Sequence, residues 1–133
     1  MKRLLYFCIL ILSVCIGCKE NPVGPSSPSL IGKWNWVKSV GGFTGGTFTP
    51  QTEHHTSTIV FAADSSYRMY LNDSLAASST FSLREETMNG GSVEMIYYPL
   101  AVPAQIVSRL DADTLILSDY AADGFTSTWN RIN

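Results

Sequence analysis

The chain has 133 residues and a formal net charge of −2, with 15% charged and 11% aromatic residues. That length supports one principal domain. The lack of any basic cluster excludes nucleic acid as a partner, and the sparse charge suits a β-rich domain better than a charged helical one. The chain opens Met1-Lys2-Arg3, which is basic, and Leu4 to Ile16 is then apolar apart from Ser13. A run of about 13 residues falls short of the roughly 20 that a membrane-spanning helix needs. A basic start, a short apolar run and the small residue Gly17 describe a secretory signal peptide over residues 1–17. All three cysteines, Cys8, Cys15 and Cys18, lie within it or directly after it.

Val14-Cys15-Ile16-Gly17-Cys18 resembles the lipobox of bacterial lipoproteins, with Cys15 where that family usually has Leu or Val. The resemblance implies that the Cys18 thiol receives a diacylglycerol, that cleavage makes Cys18 the first residue, and that its amine is acylated as well. Several acyl chains on one residue anchor firmly, whereas one binds only marginally. Lys19 to Ser29 carries three prolines and three serines, a composition that stays extended and solvated, so residues 18–29 read as a tether. An ordinary cleaved signal with incidental cysteines is the alternative. Lys19 stands where an Asp retains many Gram-negative lipoproteins at the inner membrane. The expected address is therefore the outer membrane, at its periplasmic face or at the cell surface. Cys8 and Cys15 leave with the signal, and the mature chain keeps seven basic and eleven acidic side chains, net −4. Its domain, residues 30–133, has no disulfide and must be stabilised by packing.

Within the domain, β-type alternation recurs every ten to fifteen residues with turn signals between, the pattern of an antiparallel all-β domain. Gly32 to Val40 is the first strand, with Trp34 and Trp36 on one face. A Gly/Thr-rich connection follows. Thr56 to Ala62 is the second strand and Tyr67 to Leu71 the third, with Asn72-Asp73 as a hairpin signal after it. Leu75 to Arg84 is the fourth, with Phe81 and Leu83 together, and "EETMNGG" turns the chain. Ser92 to Tyr98 is the fifth, with Val93, Met95 and Tyr97 on one face. Gln105 to Leu110, Thr114 to Ser118 and Phe125 to Ile132 complete eight strands. A meander of short strands can remove its open edges by closing into a barrel, and eight strands enclose at most one small ligand. A two-sheet sandwich is the alternative, although it usually needs longer connections.

"LIGKW", opening the first strand just after the tether, resembles the Gly-x-Trp signature of the lipocalin superfamily. The ordered set of that start, "FAADSSY", "DTLILSD" and "ADGFTSTWNR" resembles the short lipocalin-like domains of small bacterial lipoproteins. The resemblance covers about residues 30–133 and implies an eight-stranded antiparallel up-and-down barrel. It implies that Gly32 and Trp34 close one end, with the basic residue Arg131 lying across the tryptophan. The chain is shorter than a typical lipocalin and lacks that family's flanking helix and disulfide.

No catalytic motif is present in the mature sequence, so no enzyme and no cofactor are expected. Glu53-His54-His55 is the one histidine cluster and reads as a solvated loop, with no metal site. Glu85-Glu86 and Asp111/Asp113 read as solvated turns. The aromatic stripe is first of all core; its functional reading is a residual pocket lined by Tyr67, Tyr97 and Trp129. Two roles compete: a membrane-anchored module that binds a small, largely apolar ligand, and a filled barrel whose outer loops bind an envelope protein as an interaction or inhibitor module.

Overall fold

The computed structural model describes residues 28–99 and 102–132. The expected signal peptide, the expected lipidation site Cys18 and the expected tether up to residue 27 lie outside the described residues.

The strands form where alternation and β-branched or aromatic residues coincide. β1 (Gly32–Gly41) buries Trp34 and Trp36 on one face. A bulge between Trp36 and Lys38 shifts its register, so that Ser39 falls on the same inner side. The Gly-rich connection turns back as β2 (Gly46–Phe48), and a single helical turn, α1 (Pro50–Glu53), follows. Thr49 caps α1 by accepting from Thr52 N, and Pro50 begins it. β3 (Ser57–Phe61) and β4 (Ser66–Leu71) follow, and β4 turns through Asn72 and Asp73, both at positive φ, into β5 (Ser74–Thr80). β6 (Ser82–Met88) turns at Asn89-Gly90 into β7 (Gly91–Tyr97). β8 (Gln105–Leu110), β9 (Thr114–Asp119) and β10 (Phe125–Ile132) complete the chain.

All ten strands belong to one antiparallel sheet in the order β5-β4-β3-β1-β10-β9-β8-β7-β6, with β2 beside β1. The first and last strands pair along eight positions, from Lys33 with Ile132 to Gly41 with Phe125. The sheet curls until its far parts meet. Tyr67 of β4 and Tyr98, just past β7, stand near opposite ends of the strand order, yet their rings are 5.0 Å apart. The core lies inside this curl: Leu30, Trp34, Trp36, Ile59, Phe61, Phe81, Ile96, Leu115, Leu117 and Trp129. Burying each large apolar side chain there contributes roughly 1.5–3 kcal/mol.

Two expectations are corrected. The sheet is not a closed eight-stranded barrel, because β5 and β6 end the strand order without pairing to each other. The expected fourth strand, Leu75 to Arg84, is two strands broken at Phe81, and residues 85–88, expected in a turn, extend the second of them. The cause is Phe81 itself. Its side chain is buried edge-on against Phe61, with ring centroids 5.0 Å apart, and its N–H donates to the Ser65 carbonyl at 3.0 Å. Drawing Phe81 inward bends the chain and sends β5 and β6 apart. β5 is Ser-Leu-Ala-Ala-Ser-Ser-Thr and β6 carries Arg84, Glu85 and Glu86. Both strands are largely exposed on both faces. Neither has an apolar face to bury against the other. Pairing them would only exchange hydrogen bonds to water for hydrogen bonds to protein, a small net gain.

Candidate functional site

One end of the curl is plugged. Trp34 is fully buried, and its Nε1–H donates to the Leu30 carbonyl at 2.9 Å. The Arg131 guanidinium lies 4.0 Å above the Trp34 ring. It also donates to three carbonyls, from Nε to Ala112 at 2.6 Å, from Nη1 to Ile31 at 3.1 Å and from Nη2 to Ser29 at 2.6 Å. Gly32 is required beneath it: its φ is +150°, and a Cβ there would collide with the guanidinium.

Away from that plug the inner face turns polar. Trp36 Nε1–H donates to Ser39 Oγ at 2.9 Å, and Ser39 shares a hydrogen bond with Ser127 at 2.7 Å. The Tyr98 hydroxyl donates to Gln105 Oε1 and Gln105 Nε2 donates to Asp119 Oδ1, each at 2.9 Å. Phe125 N donates to the other Asp119 oxygen at 3.1 Å. Burial pushes the Tyr67 phenol up to about 12. Burial, then the neighbouring Tyr67 and Asp119, push the Tyr98 phenol up as well. Both are therefore neutral hydrogen-bond donors at neutral pH.

Two hollows meet at Met69. A cleft of about 170 Å³ lies between the β4–β5 hairpin and the start of β8, lined by Tyr67, Met69, Ala77, Tyr98, Val102 and Gln105. A more open groove of about 230 Å³ is lined by Trp36, His55, Ser57, Met69, Ser127 and Trp129. This groove continues toward Phe48, Asp119 and Phe125. A larger depression, about 390 Å³, is on the outer face among Lys33, Thr58, Val60, Tyr70 and Asp73. Tyr70 is the one aromatic among these residues, and the depression is more open than the cleft. The inner hollows offer aromatic faces, a flexible thioether and hydrogen-bond donors, which suits a small, mainly apolar molecule.

Tyr67 lines the cleft and Trp129 the groove, and the two hollows share Met69. Tyr97 is not with them, which corrects the reading that faced it inward. Its ring sits under the Arg84 guanidinium at 4.7 Å, and its hydroxyl donates to Glu86 Oε1 at 3.1 Å, across the opposite face of β6 and β7. The adjacent Tyr98 takes the inner position. Alternation alone left this open because β7 buries both Met95 and Ile96, so either face passes for the core side. Gln105 and Asp119 were also missed; polar residues on inward-facing positions of β8 and β9 were the signal.

His54 adopts a left-handed conformation as the α1 C-cap, which separates it from His55. His55 stacks on Trp36 with ring centroids 5.5 Å apart. No cluster of metal-binding side chains occurs among the described residues. Asp111 organises its own turn, accepting from Asp113 N and Thr114 N, and Glu86 serves Tyr97. In comparisons with known proteins, the chain matches no family model, no curated protein and no solved structure.

Proposed function

We propose that this chain is a lipid-anchored binding protein of the cell envelope, held at the outer membrane through Cys18, whose lipocalin-like domain takes a small, largely apolar ligand and performs no catalysis. The observation that carries the reading is the cleft between the β4–β5 hairpin and the start of β8, with its Tyr67–Tyr98 wall, which shares Met69 with the Trp36–Trp129 groove. An incompletely closed sheet keeps interior volume that a filled small barrel lacks. Volumes of about 170 and 230 Å³ suit a compact ligand rather than a long lipid. The test is a tryptophan-fluorescence titration of the soluble mature chain with an uncharged lipophilic probe, since Trp36 and Trp129 line the groove. A saturable change supports the reading, and its absence removes it. For the anchor, Cys18→Ala should abolish membrane fractionation after signal cleavage.

A second reading, docking of an envelope protein, is favoured by a specific feature. Phe43 on the β1–β2 turn is 92% exposed. Tyr120 and Val102, also exposed, sit on connections that adjoin it through the Gly42–Gly124 and Tyr120–Ala104 backbone hydrogen bonds. Native mass spectrometry of the protein purified from its own host separates the two readings, because it shows a small ligand or a protein partner directly.

A further inference from the structure

One buried donor beside the hollows has no partner among the described residues. Trp129 is only 8% exposed, and its Nε1–H is buried with no hydrogen-bond partner among the described residues. Buried donors are paired in the great majority of native proteins, so an orphan inside a ligand-sized groove points to a missing acceptor. The other two indoles, Trp34 and Trp36, are both paired. Across Met69, the Tyr67 hydroxyl lines the cleft as a second donor. Two of the polar side chains nearby, Gln105 and Asp119, are already engaged. Gln105 Oε1 takes the Tyr98 hydroxyl, and the two Asp119 oxygens take Gln105 Nε2 and Phe125 N. The acidic groups Glu53 and Asp119 lie along the groove, and among the described residues no lysine or arginine joins them there.

From this unpaired indole donor we infer that the site takes an uncharged carbonyl compound, whose oxygen accepts the Trp129 Nε1–H and whose apolar body fills the space beside Met69 and Tyr67. The inference rests on the proposed binding function. A carboxylate ligand is disfavoured because Asp119 and Glu53 repel it with no cation to offset them. The indole N–H is closed off in the free protein, so binding must move a side chain of the groove. Met69, unbranched and shared by both hollows, is the one best suited to swing aside.

The experiment uses the chain from Cys18 onward with Cys18→Ala, so that no acyl group competes. It is titrated with cyclohexyl methyl ketone and, separately, with cyclohexanecarboxylate, while the indole N–H resonances are followed by NMR. The chain has three tryptophans, and Trp129→Phe assigns the third signal by deleting it. The expected result is saturable ketone binding, a downfield shift of the Trp129 signal and weaker binding of the carboxylate. Trp129→Phe should weaken the ketone about fivefold, the equivalent of roughly 1 kcal/mol for one hydrogen bond. Tyr67→Phe, which leaves Trp129 intact, provides a second binding variant. Ketone saturation with an unmoved Trp129 signal, or carboxylate binding as tight as ketone, overturns the inference and leaves the binding function standing. If neither probe binds, both fall together.

Discussion

Gly32 and Arg131 should be thermodynamically coupled, although 99 positions separate them in the chain. Gly32→Ala imposes two costs. The first is backbone strain at φ +150°, of order 1–3 kcal/mol for a residue with a Cβ. The second is displacement of the guanidinium that the new methyl would strike, which forfeits the stack on Trp34, about 0.5–2 kcal/mol. The guanidinium has no easy retreat, because three carbonyls hold it over the ring. The expected total is about 2–4 kcal/mol, a large fraction of the roughly 5–15 kcal/mol that stabilises a domain. Arg131→Ala alone should cost about 1–3 kcal/mol from the stack and its hydrogen bonds. In the double variant the methyl meets only Trp34 Nε1, in ordinary contact at 3.9 Å, so only the backbone term of Gly32→Ala survives. The combined loss should fall short of the sum by about 1 kcal/mol or more. Urea unfolding of the four proteins, followed by tryptophan fluorescence, measures the cycle. Additivity within roughly 0.3 kcal/mol, the scatter expected of independent sites, would refute the reasoning.

Phe81→Ala should destabilise by about 3–5 kcal/mol, since it empties the corner against Phe61; a thermal midpoint close to wild type contradicts the account of why β5 and β6 part. Gln105→Leu breaks the Tyr98–Gln105–Asp119 chain and leaves the Tyr98 hydroxyl unpaired, at a cost of about 1–3 kcal/mol in denaturant unfolding. The Tyr67 phenol titrates at about 12 in the fold against 10 when unfolded, so only the unfolded chain loses this proton between those values. Stability from this group is whole below pH 10 and falls as pH rises toward 12, by roughly 1.4 kcal/mol per pH unit. Tyr67→Phe should flatten that alkaline decline, and an unchanged decline contradicts the assignment.

The positions of the strands were legible in the sequence because they rest on local signals. Trp34 and Trp36 alternate with Lys33 and Asn35, Ile59 and Phe61 share a face on either side of Val60, and Asn72-Asp73 supplies two residues tolerant of positive φ. Gly32, Trp34 and Arg131 were expected as a set only because the lipocalin resemblance implies it. Tertiary structure decided what no window of ten residues contains. Phe81 breaks a run whose own residues read as one continuous strand, because Phe61, twenty positions earlier, offers it a buried ring face. Met95 and Ile96 are both buried, so the choice that turns Tyr98 inward and Tyr97 outward depended on what packs against each face of β7. Whether β5 met β6 depended on the balance between a few backbone hydrogen bonds and apolar area that these two polar strands do not have. Local periodicity fixes where a strand runs and which side chains share a face. Burial is settled by long-range contacts among those faces, and with it whether the sheet closes and where space remains inside.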